Sequence, residues 1–346
     1  MPPTEEVITE ENLRNLLQTK EHPKHYIGFE ISGKLHLGNF LLSGYKVNDF
    51  AKAGVDTCIY LADWHSIINN KLGGNWENIL RAAKYYEEAF KFLCPNARIE
   101  LGSDLYHHND EYWKDIIRFS KNLTLSRVSR CLTIMGRSET DILDFSQYLY
   151  PPMQGVDVKY LGEDLPHGGM DQRKVHVLAR ETYPKMGWEK PVAVHHHLLA
   201  GLSEPVKATS DDKLDQVIAS KMSKSKPWTA IFIHDTAEEI TDKIMKAWCP
   251  EKSVAQNPVV EILKYIIFHE KDVFILERKA KYGGELEFQS YDDFEKDYLS
   301  SEIHPMDLKM NIAREINEIV KPYREHFEKP ANKKLLSVYD EAQITR

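Results

Sequence analysis

No stretch of the 346-residue chain approaches the run of about 18 apolar residues that a membrane-spanning helix needs, so no membrane partner is expected. Its beginning, "MPPTEEVITEENLRNLL", is acidic and helix-like and lacks the apolar centre of a secretion signal. Cysteine is scarce. Cys58, Cys94, Cys131 and Cys249 stand far apart, which argues against a disulfide framework or a zinc ribbon and fits reduced thiols in a cytoplasmic protein. Basic charge is also in deficit: 45 Lys and Arg against 53 Asp and Glu leave a net charge of −8. A nucleic-acid partner must therefore meet a local basic patch, because the surface at large would repel it. Internal repeats and low-complexity tracts are absent from the sequence.

What is there reads as a globular protein with room for two domains. Strand-like runs ("HYIGFE", "DTCIYLAD", "ARIELG", "VAVHHHLL") alternate with helical patterns such as "NWENILRAAKYYEEAFKFL" and the segment from Asp110 to Met135. That alternation predicts an α/β fold, a doubly wound parallel sheet of Rossmann type, over residues 1–235. From about Thr236 the texture turns helical, predicting a smaller α-helical domain over 236–330 and a tail at 331–346.

Two polar signatures interrupt this pattern. In "YIGFEISGKLHLGN", residues 26–39, a buried strand leaves through Ser32 and Gly33 into a helix that stops at Gly54. A glycine turn at the head of a helix aims N–H groups and the helix dipole at one spot, which suits an anion. Downstream, "SKMSKSK" at 220–226 gathers Lys221, Lys224 and Lys226 with Ser220, Ser223 and Ser225. A third feature is "YPPMQGVD", 150–157. Tyr150, Gln154 and Asp157 share one face if the segment is helical, and Pro151 and Pro152 fit only its first turn. Polar groups on such a face need partners or a ligand. His65 of "LADWH" falls where a strand ends, at the ligand-facing edge of an open α/β sheet. The run His195–His197 is not read as a metal site, because neighbours on a strand point to opposite faces; hydrogen bonding is its expected role. Arg118, Lys121, Arg127 and Arg130 read as one basic helix face.

"HLGN" and "SKMSKSK" resemble the HIGH and KMSKS signatures of class I aminoacyl-tRNA synthetases, with Asn39 in place of the second histidine. Together with "LADWH", "YPPMQGVD", "GGMDQRK" and "HPMDLK", in that order, they resemble tyrosyl-tRNA synthetases of the archaeal and eukaryotic type over roughly residues 10–327. The resemblance implies a homodimer that uses ATP with Mg2+ to join L-tyrosine to tRNA(Tyr), without a permanently bound cofactor. His36, Lys221 and Lys224 become the expected catalytic residues. Gly28, Glu30, Gly38, Asn39, Met222, Ser223 and Ser225 join them around ATP, Asn39 as a donor to a phosphate or ribose oxygen. Tyr150, Gln154 and Gln172 are expected to hold the α-amino group, Tyr26 and Asp157 the phenolic hydroxyl, and His65 to line the pocket. Tyr26 and Asp157 favour tyrosine over tryptophan. Arg130 and Lys174 are expected at the first base pair of the acceptor stem. His304 and Asp307 are expected at the first anticodon base, with Ile266, flanked by Tyr265 and Phe268, in the place of a second stacking partner. Relatives reach the signature loop sooner, so the acidic stretch Asp211–Asp215 reads as an insertion that lengthens it. A nucleotidyltransferase would explain the two signatures but leave "YPPMQGVD" and "HPMDLK" idle. A synthetase-like RNA-binding protein without catalysis is the other alternative that Asn39 keeps open.

Overall fold

The computed structural model describes residues 2–136, 144–161, 164–205 and 213–341. Contacts divide the chain into two compact units. One holds a six-stranded sheet in the order β1-β6-β5-β2-β3-β4. Its strands are β1 (Thr4–Ile8), β2 (Lys24–Glu30), β3 (Asp56–Ala62), β4 (Arg98–Leu101), β5 (Leu165–Gly169) and β6 (Ala193–His196). β1 alone runs antiparallel, along β6; the other pairings are parallel. The expected α/β doubly wound sheet is present, and so are all four strands read from apolar runs. β1 and β5 were not anticipated. β1 lies in the acidic N-terminal stretch, and "LPHGG" of β5 carries a proline and two glycines that argue against a strand. Burial on both sides lets β5 form regardless, since every one of its residues is buried.

The chain crosses from β2 to β3 to β4 in one direction, then returns to place β5 and β6 on the other side of β2. That reversal is the switch point at which open α/β sheets receive ligands, outside the carboxyl ends of the strands. The segment Asp110–Met135 is not one helix. It breaks into Asp110–Ser120 and Leu125–Cys131 with a short 3-10 turn after them, and Thr124 caps the second piece by accepting from Arg127 N–H. The four basic residues therefore do not share one face. Arg118 pairs with Asp115 at 2.9 Å, and Arg127 pairs with Glu181.

The second unit contains Lys34–Leu42 and Leu198–Lys333. Its main helices are Ala237–Lys246, Tyr291–Leu299 and Pro305–Glu328, with a hairpin of β7 (Phe274–Leu276) and β8 (Leu286–Phe288). Compactness thus divides the chain differently from the boundary expected at 235, because residues around both signatures count with the helices. The described end of the chain from Lys334 belongs to the sheet unit. There Tyr339 meets the Tyr85 ring at 5.5 Å edge-on, and Glu341 pairs with Arg81 at 2.9 Å. Among the described residues, no helix is long and apolar enough to cross a membrane.

Candidate functional site

In the sheet unit, polar groups converge beyond the carboxyl ends of β2, β3 and β5. Tyr26, Gly28 and Glu30 alternate along β2 and so share one face. Gly28 sits in register with Tyr60 of β3. A Cβ on Gly28 would come no nearer than 3.7 Å to the Tyr26 and Tyr60 rings, so internal packing does not require a glycine there. Glu30 accepts from Asn69 Nδ2 at 2.6 Å, lies 3.4 Å from Lys71 Nζ and hydrogen-bonds the Tyr150 hydroxyl.

Helix Tyr150–Tyr160 begins with its two prolines in the first turn, as expected, and buries Tyr150 and Asp157. Gly155 lets this helix approach Phe119, whose ring atoms would lie 2.7 Å from an added Cβ. That close approach sets Asp157 against helix Asp110–Ser120, where Tyr112 donates its hydroxyl to Oδ1 at 2.7 Å. Tyr106 donates to the same carboxylate, 3.0 Å from Oδ1 and 3.1 Å from Oδ2. His65 Nε2 lies 3.6 Å from Oδ2. Burial pushes the Asp157 carboxyl up to about 8 against the pull of the two hydroxyl donors, and pushes the His65 imidazole down to about 3. Gln154 donates to Gln172 Oε1 at 3.2 Å, and Gln172 donates to the Ile134 carbonyl at 3.3 Å. Gln154 Oε1 is buried and accepts no hydrogen bond among the described residues, an acceptor open to a ligand's ammonium. All six residues expected around the amino acid thus lie in this unit, five of them joined by contacts to Asp157, to one another or to Glu30. Tyr26 lies with Tyr60, Tyr106 and Tyr112 in the surrounding apolar cluster. Sequence reading missed Tyr60, Tyr106 and Tyr112. They come from separate elements and no spacing links them to Asp157.

In the helical unit the two signatures meet. Residues 35–37 pair with 231–233: Leu37 N–H donates to Ile231 O at 3.0 Å and Ile233 N–H to Leu35 O at 3.1 Å. His36 and Asn39 then cap helix Leu37–Lys52 reciprocally. Asn39 Oδ1 accepts from His36 N–H at 2.8 Å, and His36 Nδ1 accepts from Asn39 N–H at 3.4 Å. This accounts for the asparagine: its carbonyl oxygen faces the cap. It also fixes the tautomer, because an accepting Nδ1 leaves the proton on Nε2. His36 is buried, and desolvation with the charges of Lys224 and Lys221 holds it well below its ordinary range, so the ring is a neutral donor. A Cβ on Gly38 would press on Leu199 Cβ at 3.3 Å and on the His36 ring at 3.4 Å. Leu199 O accepts from Met222 N–H at 2.7 Å, which anchors the lysine loop to the same segment. Met222 is buried as that anchor, and the Ser223 and Ser225 hydroxyls meet at 3.0 Å. A neutral imidazole donor at a helix N-terminus and two nearby ammonium groups are a donor set for a polyphosphate. Within the acidic stretch, Asp211 and Asp212 lie outside the described residues; Lys213–Ser220 is helical.

The remaining expected residues occupy two further places. Arg130 and Lys174 both lie in the sheet unit, where burial pushes the Cys131 thiol up and each of the two cations pulls it down; that thiol donates to the Lys174 backbone carbonyl at 3.8 Å. His304 is the N-cap of helix Pro305–Glu328, its Nδ1 accepting from Met306 N–H at 3.1 Å; it is exposed, and Asp307 is half-buried in the first turn. Ile266 is fully buried within a π-helical turn and has no face for stacking, whereas Tyr265 and Phe268 beside it are half-exposed. The histidine run is buried and hydrogen-bonded. His195 bonds His176 at 3.0 Å and Glu6 at 2.9 Å, while His196, on the opposite face, bonds His167 at 2.8 Å.

A family profile described as "tRNA synthetases class I (W and Y)" matches residues 18–321. The tyrosine–tRNA ligase of Thermococcus sibiricus is 44% identical over 365 aligned positions, covering 99% of this chain and 96% of that protein. Tyrosine–tRNA ligase 1 of Pyrobaculum aerophilum is 46% identical over 363, with the same coverage of both chains. Among solved structures, tyrosyl-tRNA synthetase from Pyrococcus horikoshii, complexed with L-tyrosine, superposes with a TM-score of 0.90 at 44% identity, covering 97% of this chain and 96% of that one.

Proposed function

The chain belongs to the class I tRNA synthetases of the tryptophan and tyrosine group, and from its pocket we infer a tyrosine–tRNA ligase. The observation that carries the choice of amino acid is Asp157, a buried carboxylate that, among the described residues, is reached by hydroxyl donors and a neutral histidine. A phenol hydroxyl entering beside them satisfies the carboxylate. Phenylalanine leaves it desolvated and short of a partner, and so is rejected.

The reaction has two steps. The carboxylate of tyrosine attacks the α-phosphorus of ATP, the bond to the bridging oxygen of pyrophosphate breaks, and tyrosyl-adenylate remains bound. The terminal ribose hydroxyl of tRNA(Tyr) then attacks the acyl carbon and releases AMP. Neither step requires a covalent protein nucleophile. In our reading Gln154, Gln172 and Tyr150 hold the α-amino group, Tyr26 and Asp157 the phenol, and His65 fills the pocket wall. Gly28 leaves room over β2 for the nucleotide, near Glu30. His36 Nε2–H, the backbone at Gly38, the Asn39 side-chain amide, and the Lys221 and Lys224 ammonium groups stabilise charge as it develops on phosphate; Met222, Ser223 and Ser225 hold the loop in place. No group of three or more His, Cys, Asp or Glu side chains arranged for a metal occurs among the described residues, and Mg2+ is assigned to the phosphates of ATP as their counterion. Arg130 and Lys174 serve the acceptor stem, and His304 and Asp307 the anticodon, within functional domains at 1–235 and 236–330. A homodimer in the cytoplasm is the expected assembly and place.

Amino-acid-dependent ATP–pyrophosphate exchange tests this. Tyrosine should drive exchange, with phenylalanine at least about tenfold weaker in kcat/KM, the least that an unsatisfied buried acceptor costs. Equal exchange with tryptophan or phenylalanine would overturn the assignment, and no exchange at all would favour the non-catalytic alternative.

A further inference from the structure

The Asp157 carboxylate does not receive its hydroxyl donors singly. Tyr60, on β3, donates to the Tyr106 hydroxyl at 2.6 Å, and Tyr106 donates in turn to both carboxylate oxygens. All three residues are at most 2% exposed. Burying three phenol hydroxyls and a carboxylate in an apolar cluster is costly unless each is satisfied, and this chain satisfies them in series. A hydroxyl that accepts one hydrogen bond becomes a stronger donor in the next.

We propose that Tyr60 and Tyr106 form a hydroxyl relay that favours the ionised form of Asp157 and so positions it for the substrate's phenol. The inference rests on Asp157 as the acceptor of that phenol. Its logic is one of valence. With Tyr112 and Tyr106 already donating, the ionised form offers a third hydroxyl the most acceptor sites, whereas a protonated acid gives up a site to its proton and adds a competing donor. Burial opposes ionisation, and among the described residues no cation acts on Asp157. Those groups are Tyr106, Tyr112 and, as a like charge, Asp63. The His65 ring beside it is neutral, and Tyr150 and Tyr183, which feel the Asp157 charge, are undissociated phenols. The hydrogen bonds that favour the carboxylate therefore come from Tyr112 directly and from the relay through Tyr106. Tyr60 and Tyr106 are positioning residues in this scheme, acting through Asp157.

The test is the pH profile of kcat/KM for tyrosine in pyrophosphate exchange, which reports ionisation of the free enzyme. The wild-type profile should fall on the acid side as Asp157 takes up its proton. In Tyr106→Phe the midpoint of that limb should move up by about one pH unit, so that kcat/KM well below the limb drops about tenfold. Tyr60→Phe should move it less, in the same direction, because it removes only the donor behind the donor. A purely structural role for either tyrosine would lower activity equally at every pH and leave the midpoint in place, which would overturn the relay. Asp157→Asn separates the two claims. If it loses the acid limb while Tyr106→Phe keeps the wild-type midpoint, the relay fails and the reading of Asp157 stands. If the limb persists in Asp157→Asn, both fall.

Discussion

Gly28 shows how a single residue can report a ligand that its neighbours do not require. Its backbone lies in an ordinary strand, and an added methyl group would find ordinary van der Waals distances. Gly28→Ala should therefore leave thermal stability unchanged or slightly raised, since alanine loses less entropy on folding. The same methyl group occupies room assigned to ATP, so KM for ATP should rise several-fold while KM for tyrosine changes little. Steady-state exchange kinetics with a melting curve check both. A fall in stability would mean the glycine is there for packing. At this scale the sequence was legible wherever chemistry rides on a motif: Tyr150, Gln154 and Asp157 lie on one helix, as their spacing required. It was illegible wherever partners come from distant segments. Nothing in "GSDLYHHNDEYW" distinguishes Tyr106 and Tyr112 from any aromatic pair, because their meeting at Asp157 is made by the packing of three helices.

At the scale of elements, the buried histidines of β2, β5 and β6 form a hydrogen-bonded chain, with His167 joined to His25 at 3.1 Å and to His196 at 2.8 Å. Burial holds His25 down to about 3 and His196 to about 4, and His167 and His176 well below the ordinary value; Lys46 and neighbouring histidines add to this, while Glu6 and Asp171 oppose it at His195 and His196. These rings are neutral in the fold and take up protons in the unfolded chain below about pH 6.5. Their stabilising contribution is complete above that pH and is lost as pH falls toward 4, at up to about 1.4 kcal/mol per ring per pH unit. Asp157 acts in the opposite sense between about pH 4 and 8, but it is one group against several. Denaturant midpoints should therefore drop steeply between pH 6.5 and 5; a flat profile would contradict the neutral assignment. The helix cap at His304 carries a different prediction. Asp307→Ala touches no cap hydrogen bond of its side chain, so pyrophosphate exchange should stay near wild type while tRNA charging falls, with a loss that depends on the first anticodon base. Charging that ignores that base would reduce the pair to structure. His304→Ala, by contrast, should also cost about 1 kcal/mol of stability as a lost cap. Strands and helices with clean periods were legible in the sequence. β5 was not, since its glycines and proline are tolerated only because neighbours bury it on both sides.

The whole molecule is two compact units threaded by one chain that does not visit them in turn. Segments 34–42 and 198–333 belong with one unit, and 4–33, 43–197 and the described residues from Lys334 belong with the other. Composition change near Thr236 marked where helices begin but could not mark this threading, which is fixed by backbone pairing of 35–37 with 231–233. The docking of Val338 and Tyr339, both buried, at the Tyr85 face of helix Trp76–Leu93 has a consequence for synthesis. A ribosome delivers the six strands of the sheet early, yet the aromatic residue that seals this helix emerges only after all of 198–333 has been translated. The unit that is begun first is thus completed last, and a nascent chain stalled anywhere in 198–333 carries an exposed Tyr85 face for a holdase to grip.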